Sequence, residues 1–123
     1  GRSTKDRIAL KMIEEAEKNG SMNIIIKTYE DKNMNYINKI ANKITETENN
    51  IGLFALINND RLNLLFACSK NLEKIDMNIL LKDSIKLVDG KGGGSKTLAQ
   101  GGGKNNGNLD SLFDYVKIKI KST

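Results

Sequence analysis

The residues of this sequence that could shape a binding surface are concentrated between Gly90 and Lys104, which reads Gly-Lys-Gly-Gly-Gly-Ser-Lys-Thr-Leu-Ala-Gln-Gly-Gly-Gly-Lys. Counted on to Gly107, the stretch holds 8 of the chain's 11 glycines. Glycine has no Cβ, so its backbone can approach a ligand or another strand closely, at an entropic cost on ordering. Two triplets, Gly92-Gly93-Gly94 and Gly101-Gly102-Gly103, therefore mark either a flexible linker or a backbone shaped for close contact. Linkers are polar throughout and join two domains. This stretch centres on Leu98-Ala99-Gln100 and is followed by only a short tail, which favours the shaped surface. Charge points the same way. The net charge is +5, and residues 82–123 hold 8 Lys against 4 Asp, whereas residues 1–81 hold 12 basic against 11 acidic residues. A basic excess gathered around a glycine-rich face suits a polyanion such as nucleic acid.

Other chemistries fit less well. Gly90-Lys91-Gly92-Gly93-Gly94-Ser95-Lys96-Thr97 approaches the phosphate-binding P-loop pattern, with Ser95 in place of its last glycine. That motif needs a strand before the loop and a helix after it. Here a helical pattern precedes it, and Leu98 to Gly103 is unsuited to a helix. No Gly-x-Gly-x-x-Gly follows a strand, which removes a dinucleotide site. The chain has no His and a single cysteine, Cys68, so a structural zinc site and a Cys/His pair are excluded. Asp83 and Asp89 have ordinary surface explanations. No cofactor, no metal and no catalytic constellation is expected, and Cys68 reads as a small buried hydrophobe.

The elements that must hold the glycine segment follow from periodicity. With 123 residues, 38% of them hydrophobic and 28% charged, the chain suits one core. A lone cysteine and the lack of a signal-like or membrane-length apolar run predict a cytoplasmic protein with no membrane partner. Ser3 and Asp6 fit a variant capping box for an amphipathic helix over Thr4–Asn19, stopped by Gly20 at the position after the C-cap. Asn23–Tyr29 reads as a buried strand. Ile37, Ile40, Ala41 and Ile44 recur at helical spacing within Met34–Glu46. The apolar runs Ile51–Ile57 and Leu62–Cys68, joined by Asn58-Asn59-Asp60-Arg61, predict a central hairpin covered on both faces. Asp76 caps a helix to about Val88 that delivers Lys82 and Lys86 towards the glycines, with Gly90 in the left-handed stop position. Asn108 caps a last helix, although Val116–Ile120 also alternates as a strand would. Lys96–Gln100 could add a short edge strand. The expected fold is α/β: a small sandwich of a mixed sheet with helices packed on it.

The paired glycine clusters around Leu98-Ala99-Gln100 resemble the signature of the DHH-associated domain. The version is similar to that at the C-terminus of alanyl-tRNA synthetases and of long alanyl-tRNA editing proteins. The likeness extends over roughly residues 20–120, which implies that residues 1–20 are an N-terminal linker helix and residues 21–123 the domain itself. The family often places a basic residue, Pro and an acidic residue before the Leu/Met-Ala-Gln core. This chain has Ser95-Lys96-Thr97 there, which implies a less rigid loop and, in Lys96, one further hydrogen-bond donor to phosphate. The resemblance implies an accessory domain without catalysis of its own, which holds tRNA for an upstream aminoacylation or editing domain of the same chain. Lys86, Lys91, Lys96 and Lys104 would neutralise phosphates. The backbones of Gly92, Gly93, Gly94, Gly101, Gly102 and Gly103 would approach phosphate or sugar. Gln100 would either hydrogen-bond a base or ribose 2′-hydroxyl or tie the glycine segments together. Tyr36 and Tyr115 are the aromatics least committed to apolar faces. Two other readings remain at this point: the substrate-binding domain of a DHH-type phosphoesterase, whose Gly-Gly-Gly-His signature lacks its His here, and a dimerisation module in which the chain forms a homodimer.

Overall fold

The structure is a computed structural model that describes residues 4–123; the expected cap at Ser3 lies outside the described residues. Among the described residues, six strands form one mixed sheet in the order β1-β2-β3-β4-β6-β5. These are β1 Glu17–Asn19, β2 Met22–Tyr29, β3 Asn50–Asn58, β4 Arg61–Cys68, β5 Lys91–Gly94 and β6 Leu98–Lys104. Only β2 and β3 run parallel, joined through helix α2 (Met34–Thr45); every other pair is antiparallel. Helices α1 (Thr4–Glu14), α3 (Met77–Ser84) and α4 (Leu109–Lys121) complete the α/β architecture.

Both faces of the centre are covered, as the continuous apolar runs of β3 and β4 require. One core gathers Ile24, Leu53, Leu64 and Phe66 under Leu81, Ile85, Val88, Leu112 and Val116. The other gathers Ile25, Phe54, Leu56 and Leu65 under Ile37, Ala41, Ile44 and Ala9. Thus α3 and α4 lie on one face, and α2 with α1 on the other. Asn33 caps α2 through Oδ1, which accepts from the Tyr36 N–H at 2.9 Å. Asp76 caps α3 in the same way, through the Ile79 N–H at 3.1 Å. Asn59 takes φ 59° in the two-residue turn between β3 and β4.

Four details depart from the expectations. The first helix stops at Glu14, because Glu17–Asn19 fold back as an outer strand against Met22–Ile24. Gly20 (φ 63°) serves that β-turn and not a helix end. The fourth helical segment tightens into a 3₁₀ turn over Ile85–Val88. Its left-handed residue is Asp89 (φ 52°), not Gly90. Asp tolerates this conformation, while Gly90 is required for a different reason: its Cβ would lie 2.4 Å from the Gly102 carbonyl oxygen. Val116–Ile120 is helical.

The largest departure concerns the glycine segment. Its two triplets are not loops but two strands of the sheet, β5 at the edge and β6 inside, between β4 and β5. Leu98 to Lys104 makes a long inner strand where only a short edge was expected. The reason is packing. Gly101 and Gly103 face Ile85 and Val88, and a Cβ on Gly101 would stand 2.7 Å from Ile85 Cδ1 and 2.6 Å from the Lys91 carbonyl. On the other face Gly102 has more room, its nearest neighbour being Asn63 Oδ1 at 3.3 Å. Gly101→Ala is therefore expected to lower stability by roughly 1–3 kcal/mol through overpacking. Gly102→Ala is expected to stay within about 1 kcal/mol of the parent. Urea unfolding of both variants checks the asymmetry, and equal losses would refute it.

Candidate nucleic-acid interface

Cross-strand partners share a face of the sheet, so the register states which candidate residues meet. Arg61 lies opposite Lys104, Asn63 opposite Gly102, and Leu65 opposite Gln100 along the β4–β6 ladder. Lys91 lies opposite Gly102 along β5–β6. Residues alternate between faces along a strand. Arg61, Asn63, Gln100, Gly102 and Lys104 therefore belong to the face on which Leu65 is buried against the α2 layer, and Lys91, at the start of the edge strand, reaches the same groove. Helix α2 covers β3 and reaches β4, and Leu98 of β6 packs against the same core, but among the described residues no helix packs closely over the Gly102 end of that face.

The uncovered end forms an open groove of about 730 Å³. Arg61, Lys91 and Lys104 line it with the Gly102 and Gly103 backbone, and Asp60 and Asp89 also border it. Arg61, Lys91 and Lys104 are exposed, and among the described residues none of them is held in an ion pair. The lysines of α4 behave differently: Lys117 and Lys121 reach Glu17 at 3.8 and 3.5 Å. Three cations beside a strip of backbone without side chains can take a phosphodiester and admit its sugar. The groove's far wall is fixed by the loop after β6. There Asn105 N donates to the Asp60 carbonyl at 2.9 Å, and Asn105 Nδ2 to the Asn59 carbonyl at 3.2 Å.

The expected site residues thus divide. Lys91, Gly102, Gly103 and Lys104 meet at the groove, and Gln100 is exposed further along the same strand face. Among the described residues, the Gln100 side chain makes no hydrogen bond to the glycine segments. Lys96 lies at the opposite end of the hairpin, in the turn between β5 and β6. Lys86 is on the 3₁₀ turn, on the opposite side of the sheet, with Gly101 and Gly103 packed beneath that turn. Gly93 and Gly94 are approached by α3: Asn78 Oδ1 accepts from the Gly94 N–H at 3.0 Å, and Lys82 lies over Gly93. Arg61 went unsuspected, since its sequence neighbours only announce a turn, and the pairing of β4 with β6 joins residues 43 positions apart.

The turn that lacks the family's proline is tied by other means. Ser95 Oγ accepts from the Leu98 N–H at 3.2 Å, and Ser95 N donates to the Leu98 carbonyl at 2.8 Å. The Lys96 carbonyl accepts from Met77 N at 2.8 Å, and the Thr97 carbonyl from Cys68 N at 2.9 Å. These hydrogen bonds hold the segment that the missing proline was expected to loosen.

Against this geometry, known proteins can be compared. The DHHA1 domain family matches residues 21–122, and the chain belongs to that family. Its curated relatives include the alanine–tRNA ligase of Methylacidiphilum infernorum, 31% identical over 107 residues, and that of Caldicellulosiruptor saccharolyticus, 34% identical over 107 residues. These matches take in 86% and 85% of the chain but 12% of either ligase, so the chain spans a small part of the relatives it matches. Among solved structures, the C-Ala domain from Aquifex aeolicus alanyl-tRNA synthetase superposes with a TM-score of 0.80 at 22% identity, covering 87% of this chain and 98% of that one. RecJ from Thermus thermophilus superposes with a TM-score of 0.68 at 13% identity, covering 97% of this chain and 18% of that one. The fold is that of the C-Ala domain.

Cys68 is buried beneath the same turn, its Sγ donating to the Lys96 carbonyl at 3.7 Å. Burial, with help from Asp76, raises its pKa from 9.0 to about 11, against a smaller opposing pull from Lys96. The folded chain is therefore expected to resist a thiol-directed disulfide reagent at neutral pH and to react fully in urea. Above pH 9 the unfolded thiol ionises first, so the fold loses stability as pH rises towards 11. Labelling at neutral pH as fast in buffer as in urea would contradict this placement.

Proposed function

We propose that this chain is a tRNA-binding accessory domain of an alanyl-tRNA synthetase-related protein, gripping the ligand through the Arg61–Lys91–Lys104 groove. The observation that carries the reading is the coincidence of three exposed cations with the glycine strand in one open groove. Membership of the DHHA1 family and likeness to alanine–tRNA ligases favour tRNA over other polyanions. Lys104, Lys91 and Arg61 neutralise phosphates, and the Gly102–Gly103 backbone lets a ribose approach without a side chain between. Gln100 and Asn63, on the same face, offer amides to a 2′-hydroxyl or a base edge. Lys96, Lys86 and Lys82 are outlying charges that steer the polyanion.

No chemistry is assigned to the chain itself. Among the described residues no group of three or more His, Cys, Asp or Glu side chains could hold a metal ion, and no helix is long and apolar enough to cross a membrane. The reading gives the catalytic or editing work to an upstream domain of the same chain, in the cytoplasm where tRNA is charged.

The test is a salt titration of tRNA binding, with duplex DNA as a control ligand. The parent is expected to prefer tRNA and to lose affinity steeply as salt rises. Arg61→Ala, Lys91→Ala and Lys104→Ala should each reduce the slope of log affinity against log salt by about 1. Lys96→Ala should change it less. If the triple variant at 61, 91 and 104 binds tRNA as the parent does, the groove is not the site. If binding depends on protein concentration through self-association and not on salt, the chain is a dimerisation module instead.

A further inference from the structure

Asn106 and Gly107 form an Asn-Gly pair in the exposed loop between β6 and α4. Gly107 stands at φ 86° with nothing within 4 Å of where a Cβ would be, and among the described residues its N–H has no hydrogen-bond acceptor. The Asn106 side chain is held beside it. Its Oδ1 accepts from the Asn108 N–H at 3.2 Å, and its Nδ2 donates to the Leu87 carbonyl at 3.1 Å. A free, unshielded amide nitrogen thus follows a side-chain amide whose carbonyl is already polarised by a backbone donor.

We infer that Asn106 is a self-modification site, converted without an enzyme to aspartate and isoaspartate, and that the change lowers the charge of the adjoining groove. Gly107 N attacks Asn106 Cγ as its proton passes to solvent base. The Asn108 N–H holds the developing oxyanion on Oδ1. The Cγ–Nδ2 bond then breaks, Nδ2 leaves as ammonia after taking up a proton, and a succinimide remains. Water opens either carbonyl of that ring, giving an α-linked aspartate or a β-linked isoaspartate. No oxidant or co-reactant other than water is consumed. Glycine at 107 matters because a side chain there would crowd the nitrogen that must close the ring.

The chain carries an internal comparison. Asn19-Gly20 is a second Asn-Gly pair, but Asn19 is half-buried and held opposite Met22 in the β1–β2 ladder. Its backbone is less free to rotate into the ring. Asn106, by contrast, borders the groove with Arg61, Lys91 and Lys104, where Asp60 and Asp89 already oppose the cations. One more carboxylate there weakens attraction for phosphate. That consequence rests on the proposed function; the covalent change does not.

The experiment ages the chain in mildly alkaline buffer and follows tryptic peptides by mass. The peptide Asn105–Lys117 is expected to gain one dalton, with isoaspartate at position 106, before the peptide Asn19–Lys27 changes. Asn106→Gln and Gly107→Ala are expected to suppress the gain; the former tests the idea even where the left-handed backbone makes the latter unstable. Earlier change at Asn19, or an equal rate in Asn106→Gln, overturns the assignment. Asn106→Asp is expected to weaken tRNA binding by a factor of about 2 to 10 at low salt, less at high salt. Unchanged affinity in that variant, with the parent binding tRNA, overturns the effect on the groove. A parent that fails to bind tRNA while its mass still shifts overturns the proposed function and leaves the modification standing.

Discussion

The contact on which this architecture depends is the seating of Ile85 and Val88 on the bare backbone of Gly101 and Gly103. Ordinary helix–sheet packing keeps a layer of side chains from both partners between the two backbones. Here the strand supplies none, so the 3₁₀ turn over Ile85–Val88 descends onto the strand itself, leaving less than 3 Å to any Cβ added at either glycine. The tighter winding of that turn fits the same demand, since it points Ile85 and Val88 together at the sheet while Asp89 reverses the chain at once into β5. Every later element inherits the position set there. β5 follows within three residues of Val88, β6 returns from it, and the loop carrying Asn105 and Asn106 is tied to Leu87 and to the β3–β4 turn.

A strand without side chains has a second consequence, on its other face. Glycine in a strand interior weakens it, because it buries no side chain and loses the most entropy on ordering. The sheet compensates by placing β6 inside, hydrogen-bonded to β4 and β5 along both edges. Once β6 is secured from one side and from both edges, its remaining face needs no cover. That face opens into the groove where Arg61, Lys91 and Lys104 converge. The groove is thus a by-product of the packing solution on the opposite side of the same strand.

Much of this was legible in the chain. The apolar runs of β3 and β4, the helical spacing of Ile37 to Ile44, and the cap Asp76 each carry local signals that the fold obeys. The clustering of glycines identified the family's signature. What sequence could not convey was the state of that signature. Runs of glycine have no strand propensity, so nothing beyond a short edge strand over Lys96–Gln100 was legible; the strand character of the triplets comes from pairing that begins at β4, which lies far off in sequence. The same long-range pairing hid Arg61. It also separated Lys96 from Lys91 and Lys104, which proximity in sequence had grouped together. Residues 17–19 failed for a related reason: Glu-Lys-Asn favours no element strongly, and pairing with β2 decided the matter.

The turn at Ser95–Thr97 shows how the chain keeps the hairpin in place without proline. A proline stiffens a turn by restricting φ in folded and unfolded states alike. Ser95 instead closes the turn with its hydroxyl and backbone, while the Lys96 and Thr97 carbonyls are claimed by Met77 and Cys68. The constraint has moved from covalent geometry to hydrogen bonds that exist only when α3 and β4 are in position. Hairpin order in this chain therefore depends on the completed core beneath it. Loosening the Cys68–Met77 region transmits directly to β6, and through β6 to Gly102 and Lys104 at the groove end of the strand.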